Sequence, residues 1–247
     1  MPDLPRIIQD AQPPGVPPLE VTGERTLPDV PTENYWFQRH VKVFEWAAEL
    51  VRGKTVIDMA CGEGYGAAIL AETAETVLGV DANPEAFEHA RLKYVLPNVR
   101  FERVLMEEVD DRADVVTFLQ TVEHVRQPES LLRHFKSLVG ASLGVVVVST
   151  PNVLTLAPPG ARQSENPWHV HEFEPEEFAS LLAEIFPIVE LWGLYHCGAL
   201  AGHTRVTPSL VDDLQLQGSV TTDDFLLARA GAPDDLVASQ DLIAVCR

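Results

Sequence analysis

Two carboxylates, a run of alternate glycines and two small clusters of histidine and acid are the residues of this chain best suited to chemistry. The stretch VIDMACGEGYGA, residues 56–67, ends an apolar run on Asp58 and then sets glycine at 62, 64 and 66. Glycine permits positive φ and a close approach of backbone to a ligand. The dinucleotide fingerprint G-x-G-x-x-G begins with glycine directly after its strand, whereas here an acid comes first and the glycines run G-E-G-Y-G. An acid before the turn suits an ammonium group or a positive centre and repels a pyrophosphate. Asp81, which closes TVLGVDAN, suits ribose hydroxyls, and these occur in both cofactor classes. Together the two acids and the glycines favour S-adenosylmethionine (SAM) over a nicotinamide dinucleotide.

Methyl transfer from a sulfonium is an in-line displacement that needs an aligned nucleophile, and a weakly acidic hydroxyl needs a base or a metal. The first cluster is QTVEHV, with Gln120, Glu123 and His124. It offers a base, or oxygen and nitrogen ligands for a metal ion; its polar residues equally suit orienting the loop or starting the next helix. The second is ENPWHVHEF, with Trp168, His169, His171 and Glu172. A strand-like alternation aims His169 and His171 to one side. His169 is a candidate base and Trp168 a platform for stacking an acceptor. A transition-metal site on His169, His171 and Glu172 lacks a further ligand pair. Sequence alone does not choose between His124 and His169 as the base.

The surrounding pattern supplies the elements that hold these residues. TENYWFQRHVKVFEWAAELV reads as an amphipathic helix capped by Thr32 or Asn34. Strands are expected at KTVIDMA, TVLGVDAN, NVRFERVL, DVVTFLQ, GVVVVSTPN, PIVELWGLYH and QDLIAVCR, with helices at GYGAAILAETA, PEAFEHARLKYV, PESLLRHFKSLV and EPEEFASLLAEIF. Regular alternation of strand and helix indicates a mostly parallel sheet covered on both faces. Ligands then bind at the carboxyl ends of its strands, where Asp58, Asp81 and Gln120 fall. Asn152 and Pro151, at the end of the fifth strand, are expected at the pocket floor. Residues 1–24 read as a proline-rich arm, extended or partly disordered. Residues 25–247 read as one α/β domain with a long loop at about 152–174 and a lid at about 197–238. His196 and His203 flank that lid and read as surface residues.

The 247 residues suffice for one full core. A net charge of −19 argues against DNA or RNA as a partner. No apolar stretch is long enough to span a bilayer. The N-terminus lacks the pattern of a signal peptide, so a cytoplasmic location is expected. Cys61, Cys197 and Cys246 are scattered and odd in number, which predicts buried free thiols.

VIDMACGEGYGAAILA, LGVDANPEAFEHAR, QTVEHV, VVVVSTPN and NPWHVHEFEPEEF resemble, in order, the motifs of class I SAM-dependent methyltransferases over about residues 20–196. The resemblance implies a seven-stranded Rossmann-like α/β sheet. It places Asp58, Gly62 and Gly64 at the methionine end of SAM, Asp81 at the ribose and Ala82, Leu105 and Met106 at the adenine. Leu119 and Gln120 would pass under the sulfonium, and Tyr35, Trp36 and Arg39 would close over the carboxylate. Ala60 stands where many members have glycine. Metal-dependent quinone O-methyltransferases carry E-x-x-E-H where this chain has Q-x-x-E-H, which implies a Mg2+ site of lower charge. VTGERTLPDVPTENYWFQRH, GLYHCGAL and the ending VTTDDF…SQDLIAVCR resemble mycobacterial sugar O-methyltransferases of polymethylated polysaccharide biosynthesis. That narrower resemblance implies a carbohydrate acceptor, a methylmannose or methylglucose chain, in its most specific form a 3-O-methylated mannoside methylated at O1. It also implies a homodimer. Other readings are O-methylation of a quinone or natural-product phenol and a non-catalytic SAM-binding domain.

Overall fold

The computed structural model describes residues 7–140, 144–205, 211 and 219–247. Helix α1 spans Asn34–Leu50 and enters from a 3-10 turn at Pro31–Glu33. Its N-cap is Glu33, with no side-chain cap, so neither Thr32 nor Asn34 plays that part. The chain then alternates β1 (Thr55–Met59), α2 (Tyr65–Ala71), β2 (Thr76–Val80), α3 (Pro84–Lys93), β3 (Val99–Glu102), β4 (Val115–Leu119), α4 (Pro128–Leu138) and β5 (Val145–Pro151). A short α5 (Val153–Leu156) opens the long loop, and α6 (Pro175–Ala183), β6 (Val189–His196), β7 (Phe225–Arg229) and β8 (Asp241–Cys246) complete it. Proline opens α3, α4 and α6, where its missing N–H costs no helical bond. Asn83 caps α3 by accepting from the N–H groups of Glu85 and Ala86.

The sheet order is β3-β2-β1-β4-β5-β8-β6-β7. Strands β1 to β5 pair in parallel, and β8, β6 and β7 join through antiparallel pairings. The sheet therefore has eight strands rather than the seven expected. The extra one, β7, comes from the stretch read as a lid. It is an edge strand paired only with β6, and the alternation of FLLAR is incomplete: Phe225 is buried and Leu226 exposed, but Leu227 and Ala228 are both half-buried. The rest of the expected lid at 206–210 and 212–218 lies outside the described residues, as do residues 1–6 of the arm.

Alternate residues of the central strands enter different cores. Ile57, Met59, Val116, Phe118, Val146 and Val148 pack with Leu132, Phe135 and Leu138 of α4 and Phe178 and Leu182 of α6. Val56, Val77, Val115, Val145 and Val147 pack with Val43 and Ala47 of α1 and Ala67 and Leu70 of α2. Burial on both faces makes β5 apolar almost throughout rather than alternating. The arm from residue 7 folds back on itself, with Gln9 N–H donating to Leu19 O at 2.9 Å. Leu19 packs with Leu27 and Val30, and the backbone oxygen of Pro17 bonds His89 Nδ1 on α3 at 2.6 Å. All three thiols are free. Only Cys246 is buried, whereas Cys61 and Cys197 are partly exposed. Among the described residues no helix is long and apolar enough to cross a membrane.

Candidate active site

The carboxyl ends of β1, β2 and β4 open into one cavity of about 940 Å3. Asp58 is buried at its edge. Its Oδ1 accepts from Thr117 Oγ1 at 2.7 Å, while Oδ2 is buried with no partner among the described residues. Burial raises its pKa to about 7 against the Thr117 bond, and nearby Asp81 pushes the same way. A half-satisfied buried carboxylate is a receptor for a cation. Asp81 is held differently: Oδ2 accepts from Gly62 N–H at 2.9 Å and Oδ1 from Asn83 N–H at 2.8 Å. Burial still raises its pKa, opposed by those two backbone bonds.

The three glycines serve separate needs. Gly62 has φ +56° and open space beside it, with Arg25 Cβ 3.9 Å from where its own Cβ would lie, and it lines the cavity. Gly64 has φ +100°, and a Cβ there would lie 2.8 Å from Ala90 Cβ. It caps α2 against α3 and does not line the cavity, so its expected place at the methionine end is corrected to packing. Gly66 admits the Phe44 ring, which would lie 2.2 Å from a Cβ. Ala60 and Gln120 follow β1 and β4 with φ of +54° and +52°. Left-handed conformation in residues with a side chain costs about 1 kcal/mol or more each, and both face the cavity. Glu63, which the sequence analysis passed over, is buried beneath this turn and bonds Lys93 at 2.6 Å, Tyr94 at 2.7 Å and His89 at 2.9 Å.

Ala82, Leu105, Met106, Leu119, Gln120 and Trp36 line the cavity. Tyr35 and Arg39 do not. Both are buried on the flank of α1 beside Trp36, turned from the cavity toward the sheet, with the Arg39 guanidinium 5.2 Å from the Trp36 ring centroid, because residues at i and i+4 share a face and adjacent ones diverge. Tyr35 Oη meets His196 Nε2 at 2.7 Å. Arg39 forks onto Asp241, with Nε to Oδ2 at 2.9 Å and Nη2 to Oδ1 at 2.5 Å. The cavity face of α1 is instead Trp36, His40 and Phe44. Burial pushes His40 down to about 4, so its ring is neutral, and its Nδ1 lies 3.2 Å from Tyr65 Oη. Arg39→Met leaves Asp241 as an uncompensated buried charge and is expected to cost ~3–5 kcal/mol. The melting midpoint should fall by about 10 °C while cofactor affinity at low temperature is retained. A scanning-calorimetry shift under 3 °C or so would refute the buried-pair account.

The two polar clusters meet at the cavity wall. Glu123 is buried and accepts from Thr150 Oγ1 at 3.0 Å; burial raises its pKa to about 7. Its backbone oxygen also holds the long loop after β5, termed the acceptor loop for its proposed role, accepting from Val170 and His171 N–H at 2.8 and 3.1 Å. His124 Nδ1–H donates to Trp168 O at 3.0 Å, and burial, reinforced by neighbouring His169, lowers its pKa. His169 lies edge-on to it, ring centroids 5.0 Å apart. The Nδ1–H of His169 donates to Glu172 Oε1 at 2.5 Å, and Asn166 Nδ2 approaches its Nε2 at 3.1 Å. Burial acts to raise the Glu172 pKa, yet bonds from His169 and Ser164 hold it below the usual carboxylate range. One ligand atom from each of Glu123, His124 and His169 lies within 4.8 Å of the others. The third member is thus His169, while Gln120 donates its side-chain N–H to Ser149 Oγ at 3.1 Å.

His171 departs from expectation. Residues 167–170 turn instead of running as a strand, so His171 points to solvent and pairs with Glu177 at 2.7 Å. Asn152 is likewise no acceptor contact. It is buried, caps α5 through Leu154 N–H and donates to Leu236 O at 2.9 Å and Ser239 O at 3.0 Å. Pro151 does line the cavity. His196 and His203 bond each other, His196 Nδ1 to His203 O at 2.6 Å, away from the acceptor loop. Arg25, Glu33, His40, Tyr65, Asn166 and Arg205 line the cavity unforeseen. His40 was findable as the i+4 partner of Trp36; Arg25, in an aperiodic arm, carried no such signal.

An orphaned carboxylate oxygen for an ammonium, a backbone-held acid for a ribose and small or apolar Ala82, Leu105 and Met106 for an adenine fit SAM. The class defined is a SAM-binding α/β protein with polar groups beside the cofactor. Residues 33–185 match the model of a methyltransferase domain. A probable S-adenosylmethionine-dependent methyltransferase of Mycobacterium tuberculosis (strain H37Rv) is 34% identical over 92% of this chain and 89% of its own. A ubiquinone biosynthesis O-methyltransferase of Pseudomonas fluorescens (strain SBW25) is 34% identical over 43% of this chain and 49% of that one. A SAM-dependent methyltransferase of Thermotoga maritima shares the fold with a TM-score of 0.60 at 13% identity, over 86% of this chain and 92% of that one. The chain belongs to the SAM-dependent methyltransferases.

Proposed function

We propose that this methyltransferase acts on the hydroxyl oxygen of an uncharged sugar, and that the acceptor is a methylated mannoside or glucoside. One observation carries the reading: the Glu172–His169 pair fixes the proton on Nδ1 and makes Nε2 an acceptor at the cavity wall, where it takes the Asn166 Nδ2–H at 3.1 Å, the place an acceptor hydroxyl would fill. SAM supplies an electrophilic methyl group when bound. His169 Nε2 takes the hydroxyl proton as the oxygen attacks, and Glu172 stabilises the imidazolium so formed. Asp58 holds the cofactor's ammonium and Asp81 its ribose. Trp168, Glu165 and Asn166 offer an aromatic face and hydrogen-bonding groups, the usual means of gripping a polyol. The many acids on the walls disfavour an anionic acceptor.

A second reading, O-methylation of a quinone-like phenol, draws on the ubiquinone-pathway relative. Phenols ionise readily and need less help than two histidines and a buried glutamate provide. A metal-assisted variant draws on the Glu123–His124–His169 trio. Two imidazoles and one carboxylate suit Mn2+, Co2+, Fe2+ or Zn2+ better than Mg2+. The test is release of S-adenosylhomocysteine (SAH) with short mannosides and glucosides, plain and 3-O-methylated, and with a catechol, each with and without chelator. Turnover on one sugar class is expected. Turnover on the catechol alone would sink the sugar reading, and loss with chelator, restored by one added ion, would select the metal-assisted form.

A further inference from the structure

With Arg39 locked to Asp241, the expected cation for the carboxylate of SAM is missing from α1. A zwitterion entering a cavity lined by Asp58, Asp81 and Glu63 needs one. Apart from histidines, the cations lining the cavity among the described residues are Arg25 and Arg205. Arg205 Nη2 donates to Ala157 O at 2.6 Å, on the acceptor loop. Arg25 belongs to the N-terminal arm and lies over the glycine turn, its Cβ 3.9 Å from the Cβ position of Gly62. Gly62 lies between the two acids that hold the cofactor: it follows Asp58 and donates its N–H to Asp81. The Arg25 side chain is only 12% exposed, and its ion pair is with the adjacent, half-exposed Glu24, at 2.7 Å. Such an exposed carboxylate is readily exchanged for another.

The arm is fastened where Arg25 leaves it. Trp168 Nε1–H donates to Thr22 O at 2.9 Å and Asn166 Nδ2 to Gly23 O at 3.2 Å, so the acceptor loop grips the arm on one side. On the other, Pro17 is bonded to His89. We infer that Arg25 is the ligand of the cofactor's carboxylate, and that Trp168 positions it by clasping the arm across the glycine turn. The inference rests on the cofactor class alone and is independent of the acceptor.

The experiment is isothermal titration of the full chain with SAH and with 5′-methylthioadenosine, which lacks the amino-acid moiety. Arg25→Met keeps the apolar stem and removes the charge. It is expected to weaken SAH by roughly tenfold or more and to leave methylthioadenosine within about twofold. Equal loss for both ligands, or loss for neither, would overturn the carboxylate assignment. Glu24→Gln, which frees Arg25, provides a second variant that needs no large packing change. It should tighten SAH and leave methylthioadenosine alone; weaker SAH binding would count against the proposal. Trp168→Phe keeps the ring and removes the indole N–H. It should weaken SAH and add nothing further in the Arg25→Met background, whereas fully additive losses would overturn the clasp.

Discussion

Asp58→Asn is expected to weaken SAH binding by roughly 100-fold, because the amide keeps the shape of the carboxyl but cannot pair with the ammonium. The same carboxyl sets a pH dependence. With a pKa raised to about 7 by burial, Asp58 is largely protonated in the unliganded protein at pH 6. Pairing with the ammonium requires the ionised form, so binding at pH 6 should expel a proton, and affinity should fall as pH drops from 7.5 to 5.5. For the unliganded fold the sign is opposite. A carboxyl whose folded pKa lies above its unfolded value binds more protons when folded, so its contribution to stability is lost as pH rises from about 4 to about 7. Glu123 and Glu33, each also raised to about 7 by burial, act in the same direction. The rise in melting midpoint produced by SAH should therefore grow with pH. Titration in two buffers of different ionisation heat measures the released proton. A wild-type affinity flat across that range would refute the role given to the orphaned oxygen.

What could be read from the sequence was what is local. Asp58, Gly62 and Asp81 sit at strand ends fixed by apolar runs, and alternation of strand and helix put those ends side by side. Side chains whose direction depends on tertiary packing were less legible. Tyr35, Trp36 and Arg39 looked like one polar-aromatic patch, yet a helix turns about 100° per residue, and only Trp36 of the three faces the cavity. His169 and His171 looked like a strand pair, yet the chain turns where Glu123 O takes both Val170 and His171 N–H. Asn152 looked like a pocket residue because it follows β5, but its amide is spent on capping α5 at Leu154 N–H and on the backbone oxygens of Leu236 and Ser239. Strand β7 was missed because it is a short edge strand with one partner, whose inner side is fully buried only at Phe225, so FLLAR imposes little alternation. Arg25 and Glu63 act through contacts with residues 26 to 37 positions away in the chain, which no local pattern announces.

His169→Ala should lower turnover by ~10²–10⁴-fold while SAH affinity stays within about twofold. The reason is geometric. His124 spends its Nδ1–H on Trp168 O, and burial lowers its pKa, which weakens it as a base. It has no carboxylate bonded behind it, its nearest being Glu123 Oε1 at 3.9 Å from Nε2. His169 has Glu172 bonded at Nδ1, and Glu172 is itself fixed by Ser164 N–H at 2.8 Å. A base is strengthened when the positive charge it acquires is met by a carboxylate already in position. His124→Ala should therefore cost less than His169→Ala, since it removes a neighbour and a loop contact rather than the proton acceptor. Glu172→Gln should fall between them, because an amide oxygen still accepts from Nδ1–H but does not balance the imidazolium. The competing account, in which Glu123, His124 and His169 share a metal ion, gives a different order: all three alanine variants would lose bound metal and turnover together. Single-turnover rates paired with metal content separate the two. Equal losses at His124 and His169 with metal loss would replace base catalysis by metal assistance, and full activity in His169→Ala would remove the residue from the mechanism altogether.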